Sequence, residues 1–196
     1  MKKRSALTLL LAAVLAVSGC AYEPFARESW ITLIDGASGL DNWVSIGKGD
    51  WRAEDGAIVA NAGTGYLVSR SVYRDFRVRA EFWADHDTNS GIFLRVSNPA
   101  EITPTSSYEV NIFDRRPDPS YGTGAIVNFA KVSPMPKAGG KWNTYDVTFN
   151  RDTMTVILNG QKTVDGVKDV KFKSGPIGLQ YAAGVIKWRK VEIRPL

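Results

Sequence analysis

The sequence predicts an all-β domain, either a two-sheet sandwich or a barrel. Three observations carry this reading. Apolar residues recur with period two, Asn-Gly and Asp-Gly pairs punctuate them, and no 3.6-residue apolar stripe of helical length follows residue 30. Taken along the chain, turn signals fall first at Asp35-Gly36 and Asp55-Gly56. Phe76, Val78, Ala80 and Phe82 then alternate with Arg77, Arg79, Glu81 and Trp83. Tyr145, Val147 and Phe149 alternate with Asp146 and Thr148, and Met154, Val156 and Leu158 with Thr155 and Ile157. Asn159-Gly160 makes 154–164 the clearest hairpin, because such pairs tolerate the positive φ of tight turns. Asp165-Gly166 reads as a further turn, and Val191 and Ile193 alternate with Glu192 and Arg194 in a last strand. Each pattern is that of a half-buried strand with one face to the core. Three stretches rich in proline or glycine, 99–107, 115–124 and 133–140, read as surface loops, and such loops often surround a ligand site.

The N-terminus has a different character. Lys2, Lys3 and Arg4 precede an apolar run from Ala6 to Val17, too short to span a bilayer but suited to a signal peptide. The run ends in Val17-Ser18-Gly19-Cys20. This resembles the lipobox of bacterial lipoproteins, in which the cysteine sulfur receives a diacylglyceryl group and becomes the new N-terminus. The expected organisation is a signal peptide over 1–19, a tether over 20–29 and one domain over 30–196. Ala21, where inner-membrane lipoproteins of Gram-negative bacteria usually carry Asp, points to the outer membrane, facing the periplasm. Residues 1–19 hold three of the 25 basic residues and none of the 20 acidic ones, so the chain from Cys20 onward has a net charge of +2. That balance gives no reason to expect nucleic acid as a partner. Cys20 is the only cysteine, so the domain has no disulfide.

Composition also limits the chemistry. His86 is the only histidine, and it sits in the polar run Ala84-Asp85-His86-Asp87-Thr88, where an exposed loop residue is expected. Cys-His catalysis and zinc sites with several His or Cys ligands are excluded. Gly47-Lys48-Gly49-Asp50 lacks the spacing of a phosphate loop. No metal ligand and no cofactor is assigned. What remains is carboxylate, amide and cation chemistry beside aromatics, an inventory suited to carbohydrates.

A set of blocks then carries a resemblance. These are Trp30–Trp43 (WITLIDGASGLDNW), 89–95 (NSGIFLR), 108–114 (YEVNIFD), 123–126 (TGAI), 141–145 (KWNTY) with Leu158-Asn159-Gly160, 175–180 (GPIGLQ) and Trp188-Arg189. In this order they resemble the 3-keto-disaccharide hydrolase domain family. The resemblance implies a concanavalin A-like jelly-roll sandwich of two antiparallel sheets. It also implies hydrolysis or β-elimination of glycosides bearing a ketone at C3. The ketone acidifies the C2 hydrogen, so the site needs a positioned base and a donor or cation facing the enolate oxygen. Glu109 and Asn111, two apart on one strand, project to the same side, while Val110 and Ile112 read as core. Arg95 is expected to follow Gly91 and Phe93 on its strand's face, and Gln180 to follow Gly178. The expected site is therefore one concave surface with Glu109 as base, Arg95 steadying negative charge, Asn111 and Gln180 binding substrate, and Asp114 at the rim. The chain departs from the family pattern at Tyr181, Ala182 and Lys190, where the family has aspartate, histidine and asparagine. Losing the imidazole removes a side chain suited to proton transfer near neutral pH. The alternative is a carbohydrate-binding lipoprotein module without catalysis.

Overall fold

A computed structural model describes residues 29–196; the expected signal peptide, Cys20 and most of the expected tether lie outside the described residues. Thirteen strands form two antiparallel sheets. They are β1 (Ile31–Asp35), β2 (Trp43–Gly47), β3 (Arg52–Glu54), β4 (Ala57–Ala60), β5 (Gly65–Ser69), β6 (Phe76–Ala84) and β7 (Asn89–Leu94), then β8 (Tyr108–Ile112), β9 (Lys141–Asn150), β10 (Thr153–Leu158), β11 (Gln161–Lys168), β12 (Gly178–Ala183) and β13 (Ile186–Pro195). The larger sheet runs β11-β10-β9-β6-β13-β4-β3, with β1 also on β13. β4 takes the first part of that β13 edge, opposite Ile186 to Trp188, and β1 the later part, opposite Lys190 to Ile193. The smaller sheet runs β2-β5-β12-β7-β8. This is the jelly-roll sandwich expected from the sequence.

The period-two residues meet between the sheets. Phe76, Phe82, Tyr145, Phe149 and Trp188 of the larger sheet pack with Ile92, Leu94, Tyr108, Val110 and Leu179 of the smaller one. Each such side chain, fully buried, contributes roughly 2 kcal/mol by leaving water. The Asn159-Gly160 hairpin forms with both residues at positive φ (51° and 81°). Asp165-Gly166 is not a turn. Gly166, at φ 64°, lies inside β11, where Val164 opposes Val156 but Val167 opposes Met154. The extra residue is a bulge that lets the strand continue. His86 is exposed in the β6–β7 turn, as expected.

Candidate functional site on the outer face of the smaller sheet

β8 is buried on both faces. Tyr108, Val110 and Ile112 enter the core, so alternation sends Glu109 and Asn111 to the outer face. Register then assembles a row: Ile46 opposes Tyr66, Tyr66 opposes Gln180, Gln180 opposes Gly91, and Gly91 opposes Asn111. Glu109 opposes Phe93 in the next row and leans over Gly91. A Cβ at position 91 would lie 3.3 Å from Glu109 Cγ and 3.4 Å from its Oε1, so the missing side chain makes room for the carboxyl. The 97–107 loop folds over part of this face, where Ile102 packs with Val68 and Phe93 and beside Ile46 and Tyr66.

Glu109 is 4% exposed, and among the described residues no donor bonds its carboxylate. Burial pushes its pKa up to about 7, only partly opposed by the Arg116 cation. A carboxyl held at that value is half-ionised near neutral pH, which is where a general base works best. Gln180 Nε2 donates to the Tyr66 hydroxyl at 3.2 Å, and that hydroxyl donates to Ile102 O at 3.0 Å. Burial raises the Tyr66 pKa above its ordinary range, so it stays a neutral donor. Gln180 Oε1 is buried with no partner. Such an acceptor is costly to leave unpaired, by roughly 1–3 kcal/mol. Beside it a cleft of about 260 Å³ is lined by Ile46, Tyr66, Ala100, Ile102, Gln180 and Ala182. The arrangement can bind a polar ligand over an apolar floor and move a proton at Glu109.

The five residues expected to share one surface are not all together. Glu109 and Gln180 are. Asn111 shares the face but is fully buried, with Nδ2 donating to Tyr121 O at 2.8 Å, and it holds the 115–124 loop. Arg95 lies elsewhere. β7 ends at Leu94, and Arg95 has φ 50°, a left-handed conformation that breaks strand alternation. Its side chain turns inward instead of following Phe93. There the guanidinium lies 3.5 Å from the centre of the Phe149 ring. It donates to Arg74 O, Arg151 O, Phe172 O and Asp75 Oδ1 at 2.7–3.0 Å. Arg95 is therefore a structural tie and faces the opposite side of the sheet from Glu109. Asp114 is not at the rim either. Its carboxylate accepts from Thr123 Oγ1, Ala138 N and Gly139 N, clamping the 133–140 loop.

Tyr66 and Arg116 join the site without having been anticipated. The signal for Tyr66 lay in β5, where Tyr66 and Val68 are as apolar as Leu67: a strand apolar on both faces is covered on both. Arg116 offered none, because only the fold of its loop brings it within the field of Glu109. Ala182, at the family's histidine position, lines the cleft and contributes space in place of an imidazole.

Comparison with solved structures first defines the class. The fold matches a candidate glycosyl hydrolase from Parabacteroides distasonis with a TM-score of 0.76 at 17% identity, covering 86% of this chain and 94% of the other. A second candidate glycosyl hydrolase of that organism gives 0.66 at 22% identity, covering 86% and 100%. The carbohydrate-binding module CBM66 of Bacillus subtilis gives 0.58 at 14%, covering 78% and 95%. At these identities the likeness establishes the jelly-roll sandwich, a fold found in glycosyl hydrolases and in carbohydrate-binding modules. Residues 29–194 match the 3-keto-alpha-glucoside-1,2-lyase-like domain, and the chain belongs to that family. A comparison with curated proteins finds no match.

Proposed function

We propose that this protein cleaves 3-keto-glycosides by base-initiated elimination, with Glu109 as the base. The observation that carries this is Glu109 itself: a buried carboxyl with no hydrogen-bond partner among the described residues, poised at about 7 on the sheet face that bears the cleft, two strands from the cleft residue Gln180. In the step, Glu109 takes the proton from C2 and the C–H electrons form the enolate of the C3 ketone. The enolate then expels the C1 oxygen, a C1–C2 double bond forms, and the departing oxygen takes the proton that Glu109 carries, which restores the carboxylate. Water adding across that bond releases the free 3-keto sugar. Arg116, whose charge is felt at Glu109, supplies the positive field for the developing charge, the role first expected of Arg95. The unpaired Gln180 Oε1 accepts a sugar hydroxyl. The Parabacteroides glycosyl hydrolase candidates support a carbohydrate substrate.

The same proposal places the domain on a lipid anchor at Cys20, on the periplasmic side of the outer membrane; the residues Val17 to Ala21 support it. Cys20→Ser should abolish lipid labelling and membrane fractionation. The test of activity is incubation of the protein with 4-nitrophenyl 3-keto-glucoside and with its unoxidised parent. Release of nitrophenol from the keto compound alone is expected, and release from neither overturns the enzymatic reading. A second reading, a binding module, is favoured by one observation: Ala182 and Tyr181 stand where the family has histidine and aspartate. Saccharide binding without turnover would establish it.

A further inference from the structure

We infer that the pole of the sandwich from which the tether departs is a docking surface for anionic membrane lipid. The inference rests on the reading of Cys20 as a lipid anchor. Strand register defines this pole. β1 begins at Ile31 opposite Ile193, β13 ends at Pro195 opposite Phe76, and Phe76 opposes Phe149 near the end of β9. Thr153, opening β10, opposes both Asn150 and Lys168. All these strand ends lie at one end of the larger sheet, and Trp30 sits there beneath Arg79 and Arg194. Eight residues separate Cys20 from Ser29. Even fully extended they span about 30 Å, so a lipidated Cys20 keeps this pole within that distance of the bilayer and raises its effective concentration there.

The pole is built for that neighbour. Among the described residues six large hydrophobic side chains are exposed, and four of them, Ile31, Val72, Val170 and Leu196, are here, with Val72 at 65% and Val170 at 72%. Exposed cations surround them. Arg74, Arg151 and Lys173, with Val170, line a recess of about 260 Å³ beneath which Arg95 is buried. The acids nearby are largely engaged: Asp75 with Arg95, Asp169 with the Tyr108 hydroxyl, and Asp152 with Thr153 and, at 4.0 Å, Lys168. Apolar tips ringed by Arg and Lys fit an interface of acyl chains and phosphate headgroups. The candidate cleft opens on the outer face of the smaller sheet, from the loop residues Ala100 and Ile102 toward the far strand ends. Gly47, Gly65 and Ala182 border it at the ends of β2, β5 and β12 farthest from this pole. Docking at this pole therefore leaves the cleft on an uncovered side face, open to soluble glycosides.

Because Cys20 is the only thiol, the mature chain can be coupled through it to a maleimide phospholipid in vesicles, whatever its modification in the cell. Lysine acetylation rates, read by mass spectrometry, are then compared on phosphatidylcholine vesicles and on vesicles also containing phosphatidylglycerol. The expected result is several-fold slower acetylation of Lys168, Lys171 and Lys173 on the anionic vesicles, with Lys48, Lys137 and Lys141 at the far pole unchanged. High salt, or Arg74→Glu with Arg151→Glu, should remove the protection. Equal rates on both vesicles, or protection of the far-pole lysines, overturns the inference. So does protection that grows with protein concentration without vesicles, which assigns the pole to a second copy. Failure of the anchor reading shows separately, as membrane fractionation that survives Cys20→Ser.

Discussion

Glu109 and Arg95 are both buried, at 4% and 2% exposure, and both belong to the β7–β8 half of the smaller sheet. Their surroundings are opposite. Four of the five N–H groups of Arg95 meet acceptors, three backbone carbonyls and the Asp75 carboxylate, and the cation lies over the Phe149 ring. Glu109 meets Phe93, the space above Gly91 and the distant field of Arg116. A buried charge with all its partners is a tie between segments. A buried carboxyl left without partners destabilises the fold, and its use is chemical. Burial alone therefore does not mark a functional residue.

The largest effect that would break this contrast is on turnover. Glu109→Gln keeps the shape and removes the base, so turnover of a 3-keto-glycoside should fall ~100- to 10,000-fold. Wild-type kcat/KM should rise with pH to a plateau above about 7, following ionisation of Glu109. Arg95→Met should act on stability instead, lowering it by roughly 3–5 kcal/mol, because Asp75 keeps only the exposed Arg74 at 4.0 Å as a cation and three carbonyls lose their donor. Activity per folded molecule should stay unchanged. Loss of turnover at unaltered stability would return Arg95 to the chemistry.

A third test sharpens the contrast through pH. The folded pKa of Glu109, about 7, lies above its ordinary 4.5. The folded state therefore holds an extra proton between those values, and wild-type stability falls as pH rises through that window. Glu109→Gln has no such fall. By chemical denaturation it should match wild type on this account at pH 4 and exceed it by about 3 kcal/mol at pH 8. A wild type equal to the variant at both values would mean that the carboxylate is solvated or paired.

Gly91→Ala comes next. Its Cβ would meet Val110 O at 3.0 Å as well as Glu109 Cγ, so it should displace the carboxyl and lower turnover about tenfold, with roughly 1 kcal/mol lost in stability. Smallest is Gly160→Val in the hairpin, far from both residues. At φ 81° it should cost ~1 kcal/mol in melting experiments and leave turnover intact.

Much of this contrast was half-legible beforehand. Alternation placed Glu109 and Asn111 on one face and Val110 and Ile112 in the core, and the structure agrees. The same rule failed at Arg95 because one left-handed residue reverses the side on which a side chain emerges. It failed differently at Asp165-Gly166, where a turn signal became a bulge because the ladder with β10 resumes beyond it. Asp114 was misplaced because its partners, Ala138 and Gly139, are more than twenty residues away in sequence.

By itself the sequence determined an all-β domain, its hairpin, the core faces of its long strands and the shared face of Glu109 and Asn111, while the choice of a sandwich over a barrel came with the family resemblance. The former follow from local rules, namely side-chain period, turn chemistry and the solvation of apolar groups. Only the tertiary structure decided which polar residues are companions. Cross-strand register brought Tyr66 and Gln180 to Glu109, and a loop carried Arg116 within its field. The backbone at Arg95 sent the expected charge stabiliser into the core. Partnership among residues far apart in the chain depends on how the sheets pair and where loops close, and no local rule specifies either.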